Sequence, residues 1–187
     1  RLFPLQYILN FNSKKTIKSN PPPPYITSTI QQDASSRYNL SPASTMSILQ
    51  KLYEGGKITY MRTDSIIISD VFKTQIKEFI DNKYPNKFTN RGYKSKVVNA
   101  QEAHECIRPV SLDINTDDIG WEMGKKLYDM IYKRTLACFM PTFKEDVYLY
   151  KFENNKDIFK FSLKKNNDPG YKVIYTNDFA DDSILIN

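Results

Sequence analysis

The sequence predicts an α+β fold in which a mainly helical block is inserted into a β domain. Three observations predict it. A strand-like apolar stretch, LQYILNF (residues 5 to 11), is followed by PPPPY (21 to 25); apolar residues then recur at helical spacing as far as Phe139; and after Pro141 the period falls to two. Polyproline is stiff and lacks the N–H groups a sheet needs, so a boundary is expected near residue 22. The β domain would then comprise residues 1–22 and 141–187, with the helical domain at 23–140. No internal repeat is visible.

Each element has its own signals. Thr27 or Ser28 can cap a helix whose apolar side includes Ile30 and Ala34, ending near Tyr38. Ser41-Pro42 is a stronger start, an N-cap followed by proline at the first helical position, where the missing N–H costs nothing. Met46, Leu49, Leu52 and Tyr53 follow at helical spacing until Gly55-Gly56 stops the helix. A third helix from about Ser69 is expected to bury Phe72, Ile76, Phe79 and Ile80. A fourth, from about Asp117 to Phe139, would use Trp121, Leu127, Ile131 and Leu136. In the last part Tyr148, Tyr150 and Phe152 share one face of a strand, ENNKD reverses the chain, and Phe159, Phe161 and Leu163 lie on the return strand. Asp168-Pro169-Gly170 then turns it again into YKVIY, read with the same extended period.

Composition narrows the function. The chain has 187 residues, 40% of them apolar, enough to bury at least one core. No apolar run approaches the roughly 20 residues that cross a bilayer, and Arg-Leu-Phe-Pro does not open a signal peptide. The first residue is not Met, so the chain is read as a piece of something longer. Two distant cysteines, Cys106 and Cys138, and a single histidine argue against a zinc site or a disulfide framework, and fit an intracellular, reducing compartment, cytoplasm or nucleoid or nucleus. Net charge is +6, and the segment from Lys83 to Arg108 holds six Lys or Arg against two acids. A basic surface suits a polyanion, nucleic acid first, although solubility alone also explains charge.

The segment KITYMRTDS (57–65) carries the candidate chemistry. It leaves a helix at two glycines and should be extended or irregular, so Tyr60 and Arg62, two apart, would face one target together. A tyrosine hydroxyl is a weak nucleophile until its proton is lost, with an unperturbed pKa of about 10. A neighbouring guanidinium eases that loss and can grip phosphate oxygens through its fork of donors. Phosphodiester transesterification needs that combination. With 13 tyrosines in the chain, a structural role is the plainer reading from spacing alone. A second segment, QEAHECIRP (101–109), places the single histidine four residues before Arg108; if helical, His104 and Arg108 would share a face and could hold a phosphate, unless this is an ordinary charged loop.

Together, GGKITYMRTDS, NAQEAHECIRPV, PPPPYITSTIQQDAS upstream and LYDMIYKRTLACFMP downstream resemble the type IA DNA topoisomerases, in the same order and at compatible spacing. The resemblance runs from about residue 21 to residue 141, and DPGYKVIY looks like the family's β domain resuming. It implies a helix-turn-helix-like helical DNA-binding domain set in a β arch. Tyr60 would be the nucleophile that cleaves single-stranded DNA through a 5′-phosphotyrosine and reseals it without ATP. Arg62 would lie at the scissile phosphate, His104 near it, and Asp64 would orient His104. Arg108, Gln50 and Glu54 would line the DNA groove.

The resemblance also implies Mg²⁺, held with a catalytic acid and lysine by a Toprim domain. No D-x-D-type cluster after a strand occurs here; Asp117-Asp118 reads as a helix cap. The expectation is a fragment inactive alone, partnered by single-stranded DNA and by the Toprim and remaining domains of its parent, with no membrane and as a monomer. Two departures from the family pattern stand out: Cys106 where a small residue is usual, and Asp33 where the family is often apolar or small. The competing reading is a non-catalytic single-stranded DNA-binding helical module. A tyrosine recombinase fits less well, because His104 and Arg108 follow the tyrosine instead of preceding it.

Overall fold

The computed structural model describes residues 8–93, 105–153 and 158–176. These divide into two compact units, 1–20 with 142–187 and 21–141, so the chain leaves the first unit at Asn20 and re-enters it at Thr142.

The helical unit contains α1 (Thr27–Tyr38), α2 (Pro42–Glu54), α3 (Asp70–Lys83) and α4 (Glu122–Ala137), with a short 3-10 turn at Thr116–Asp118. Ser41 caps α2 as its sequence requires: the hydroxyl oxygen accepts the Ser44 N–H at 3.1 Å, with Pro42 next in line. At the other end Gly56 adopts φ +65°, a left-handed conformation that costs glycine nothing, and the Lys57 N–H closes back on the Leu52 carbonyl. α3 buries Phe72, Ile76 and Ile80, leaving Phe79 half-buried. The core gathers Ile30, Leu49, Leu52, Leu127, Tyr128 and Ile131 from the helices around Tyr25, Ile58, Met61 and Ile107 from the connecting segments.

Two expectations change here. α1 is not capped by Thr27 or Ser28; Ile26 occupies the N-cap position in extended geometry, and Thr27 is already the first helical residue. Trp121 is not a core residue of α4. It precedes the helix, partly exposed, with its indole over Gly124, where a Cβ would come within 2.5 Å of the ring.

Asp33, unexplained by sequence, acquires partners. Its carboxylate accepts a hydrogen bond from the Tyr25 hydroxyl at 2.5 Å and pairs with the Arg134 guanidinium at 2.6 Å, which stacks over the Tyr25 ring at 4.2 Å. The triad ties the end of the proline run to α1 and α4. Burial, with Asp33 opposing any negative charge on it, pushes the Tyr25 hydroxyl well above its ordinary range, so it stays a donor.

The other unit is an antiparallel sheet in the order β1-β2-β3, with β1 at Ile8–Ser19, β2 at Phe143–Glu153 and β3 at Ile158–Asp168. β1 extends well past the predicted Phe11: polar residues as far as Ser19 pair with β2, interrupted by a shift between Phe11 and Ser13. Tyr150 and Phe161 stack at 5.2 Å, as do Phe152 and Phe161, on the face predicted to carry them. The YKVIY segment is not a strand. The Asp168 carboxylate accepts the Gly170 N–H at 3.0 Å, Pro169 fixes its own φ, and the chain coils into a 3-10 turn over Gly170–Ile174. Residues 5–7 of the first predicted strand and Asn154–Asp157 of the ENNKD turn lie outside the described residues.

Candidate active site

Between α2 and α3 the chain crosses the core as an irregular extended segment, and from Tyr60 its burial alternates strictly: Tyr60, Arg62 and Asp64 are exposed, while Met61, Thr63 and Ser65 are buried. Met61 anchors the phase, and Ile58 is buried ahead of it. Burying each contributes about 1.5–3 kcal/mol, and a one-residue slip would expose Met61 while driving Arg62 and Asp64 inward. Core packing therefore keeps both the tyrosine and the arginine out of the core. Tyr60 is 42% exposed.

Two threonines stitch the segment on either side of that display. The Thr59 hydroxyl donates to the Cys106 carbonyl at 2.6 Å and accepts the Arg108 N–H at 3.0 Å, while the Thr59 N–H reaches the Arg108 carbonyl. The Thr27 hydroxyl donates to the Met61 carbonyl at 2.7 Å and accepts the Thr63 N–H at 2.9 Å; the Thr27 N–H bonds the Thr63 carbonyl. The backbone around Tyr60 and Arg62 is thereby held. Among the described residues, no side chain hydrogen-bonds the Tyr60 hydroxyl or pairs with Arg62.

Tyr60 leans on α2, its ring meeting Tyr53 edge-on with centroids 5.3 Å apart. One residue beyond Tyr53, Glu54 accepts a 2.7 Å hydrogen bond from the Gln50 amide, so the two predicted groove residues form a pair one turn apart on this helix. On the other flank Arg62 and Asp64 line an open cavity of about 540 Å³ with Ile26, Thr27, Ser28, Gln31 and Thr63. A surface arginine beside a polar hollow and an exposed phenol is an arrangement that can receive a phosphodiester.

The Arg108 side chain is largely buried. The described part of its segment, 105–110, is not helical; it bridges as short extended pairs, Tyr25 with Ile107 and Ile58 with Pro109. The Arg108 side chain is 11% exposed, pairs with Glu105 at 2.5 Å and lies 3.9 Å over the Phe72 ring. Glu105 also accepts the Ser69 N–H at 2.7 Å, fastening the segment to the start of α3. Burial raises the Glu105 pKa, but the Ser69 hydrogen bonding and Arg108 outweigh it and hold the carboxyl below its usual range. His104, Lys94, Lys96 and Glu102 lie outside the described residues.

Cys106 and Cys138 are both buried free thiols; burial pushes Cys138 up to about 12, which keeps it an inert hydrophobe. Asp117 pairs with Lys125, and the Asp118 carboxylate accepts the Asn115 N–H at the 3-10 turn. Among the described residues, no three His, Cys, Asp or Glu side chains converge as metal ligands would.

Sequence reasoning names Thr27 and Ser28 only as helix caps and Tyr53 only as a helix-face residue, and it does not single out Thr59 or Gln31. Threonine after PPPPY signals a helix start, and only the fold reveals that its hydroxyl faces a segment more than thirty residues away.

Residues 6–186 match the family described as DNA topoisomerase. The DNA topoisomerase 1 of Fervidobacterium islandicum is 38% identical over 183 residues, covering 88% of this chain and 26% of that protein. That of Rickettsia typhi is 45% identical over 141 residues, covering 68% of this chain and 18% of that protein. Among solved structures, full-length topoisomerase I from Thermotoga maritima aligns with a TM-score of 0.76 and 30% identity, covering 92% of this chain and 30% of that one. The chain thus spans about a quarter or less of the length of these curated relatives. Matching nearly end to end in sequence, and in fold a protein of the same kind, the chain belongs to the type IA DNA topoisomerase family.

Proposed function

We propose that these residues are the nucleophile-bearing part of a type IA DNA topoisomerase, an isomerase whose substrate is single-stranded DNA. The observation that carries the proposal is the joint exposure of Tyr60 and Arg62, two residues apart, on a segment whose neighbouring backbone is pinned by Thr27 and Thr59. The Tyr60 oxygen attacks the phosphorus of a phosphodiester and loses its proton. The P–O3′ bond breaks, the 5′-phosphate becomes a phosphotyrosine, and the leaving oxygen takes a proton to become a free 3′-hydroxyl. After another strand has passed, the 3′-hydroxyl attacks the phosphotyrosine and restores both starting groups. Two ester bonds of similar energy are exchanged, so the cycle uses no ATP.

Within this cycle Arg62 holds non-bridging phosphate oxygens, its charge matching the one that builds on them. Its place beside the cavity at Ser28 and Gln31 supports seating of the adjoining nucleotide there, while Gln50 and Glu54 flank the tyrosine from α2. Asp64 keeps its proposed role toward His104. Arg108 supports the site from within, positioning its segment through Glu105 and Phe72. Mg²⁺ and the acid that protonates the leaving oxygen are assigned to a Toprim domain, so the 187 residues assayed by themselves should bind single strands and leave them uncut. The sheet unit is assigned to the family's β arch and the helical unit to its helix-turn-helix-like domain. A monomer working on DNA in a reducing compartment fits two buried, unbridged cysteines.

The polarity of the covalent link tests the reaction. A parent enzyme given oligonucleotides labelled at one end or the other should retain the 3′-side fragment on the protein. Retention of the 5′-side fragment would overturn a 5′-phosphotyrosine, and DNA bound without any covalent fragment would favour a non-catalytic single-stranded DNA-binding module.

A further inference from the structure

We propose that Thr27 is a positioning residue for the reaction, setting the pitch of the Tyr60–Arg62 segment from the first turn of α1. This rests on the reading of Tyr60 and Arg62 given above and adds a residue whose hydroxyl is engaged by the segment's backbone and not by the reacting atoms. Three hydrogen bonds converge on one residue: the Thr27 hydroxyl donates to the Met61 carbonyl at 2.7 Å, accepts the Thr63 N–H at 2.9 Å, and the Thr27 N–H bonds the Thr63 carbonyl at 2.9 Å. They bracket Arg62 on both sides, and the Met61 carbonyl is the one next in the chain after Tyr60.

An irregular segment has no ladder of its own to fix its dihedrals, so the two peptide groups around Arg62 would otherwise be free to rotate. A single threonine supplies the missing partner strand. Thr27 is the first residue of a 12-residue helix that buries Ile30 and Ala34, so the anchor is tied to the core through that helix. The hydroxyl acts as donor and acceptor at once, which valine cannot do and serine can. Losing it would leave the Met61 carbonyl and the Thr63 N–H without this partner and let Arg62 drift. Displacements of about 1 Å at a reacting group cost on the order of a hundredfold in rate.

The test compares Thr27→Val, Thr27→Ser and Tyr60→Phe in the full-length parent enzyme, measuring single-turnover cleavage of an end-labelled single-stranded oligonucleotide at saturating protein, its Kd, and the melting temperature of each variant. Thr27→Val is expected to cleave about ten- to a hundredfold more slowly with Kd within about threefold of wild type. Thr27→Ser should restore most of the rate. Should Thr27→Val fail to fold, Thr27→Cys, with a weak thiol donor in the same place, takes its part and should be slow. Wild-type cleavage by Thr27→Val or Thr27→Cys, with Tyr60→Phe inactive, would overturn the role of Thr27 alone. Equal slowing in the valine and serine variants would also overturn it. Cleavage by Tyr60→Phe would instead overturn the underlying assignment of the nucleophile.

Discussion

The ring of Tyr60 meets the ring of Tyr53 edge-on at 5.3 Å, joining the exposed phenol to the penultimate residue of α2. Edge-to-face pairs contribute about 0.5–1.5 kcal/mol beyond the area they bury. That is enough to bias the rotamer of an otherwise unheld side chain. Tyr53→Ala should therefore slow cleavage by roughly three- to tenfold, and Tyr53→Phe, which keeps the ring, should not. Single-turnover cleavage by the parent enzyme checks both.

Arg62→Lys keeps the charge and removes the planar fork. Cleavage should fall at least about tenfold while the salt dependence of single-strand binding stays the same, since the number of phosphates neutralised is unchanged. Unaltered turnover in Arg62→Lys would leave Arg62 as a general cation only.

Arg134 is 12% exposed and Asp33 32% in their side chains. Removing Asp33 leaves a largely buried guanidinium without its carboxylate. Asp33→Leu should cost about 2–3 kcal/mol, less than the 3–5 kcal/mol of a fully buried pair because water reaches the aspartate. The double substitution Asp33→Leu with Arg134→Met should cost less than either alone. Urea unfolding followed by far-UV circular dichroism measures this, and additive losses would mean the two residues act independently.

Acid should loosen the segment that carries Arg108. The Glu105 carboxyl is held below its usual range by Ser69 and Arg108 against the opposing effect of burial. A carboxyl depressed in the folded state stabilises fully above its unfolded pKa, about 4.3, and that stability is lost as pH falls through the lower folded value. Glu105→Gln should lower the melting temperature at pH 7 and narrow its difference from wild type below about pH 4. A constant difference across this range would exclude the linkage.

Legibility from sequence followed the range of the interactions. α2 is readable because Ser41, Pro42 and the Gly55-Gly56 stop all act within a few residues, and the exposure of Tyr60 and Arg62 because alternation is local. Thr27 reads as a cap because its residue type signals a helix start, whereas its partners Met61 and Thr63 are distant in sequence. Asp33 had no sequence rationale because Arg134 lies 101 residues away. Arg108 looked like a helix-face partner of His104 from a four-residue spacing, yet pairing of its backbone with Thr59 holds it extended and turns its side chain onto Phe72. The polar half of β1 has no apolar alternation to betray it and becomes a strand only through its register with β2.

The most direct measurement is a denaturing gel of the full-length parent incubated with end-labelled single-stranded DNA and Mg²⁺, then quenched with denaturant, comparing wild type with Tyr60→Phe. Wild type should carry a covalent DNA adduct, and Tyr60→Phe, with DNA affinity nearly intact, should carry none. An adduct persisting in Tyr60→Phe would remove Tyr60 from the chemistry, and its absence from both proteins while DNA remains bound would contradict cleavage by this family member altogether.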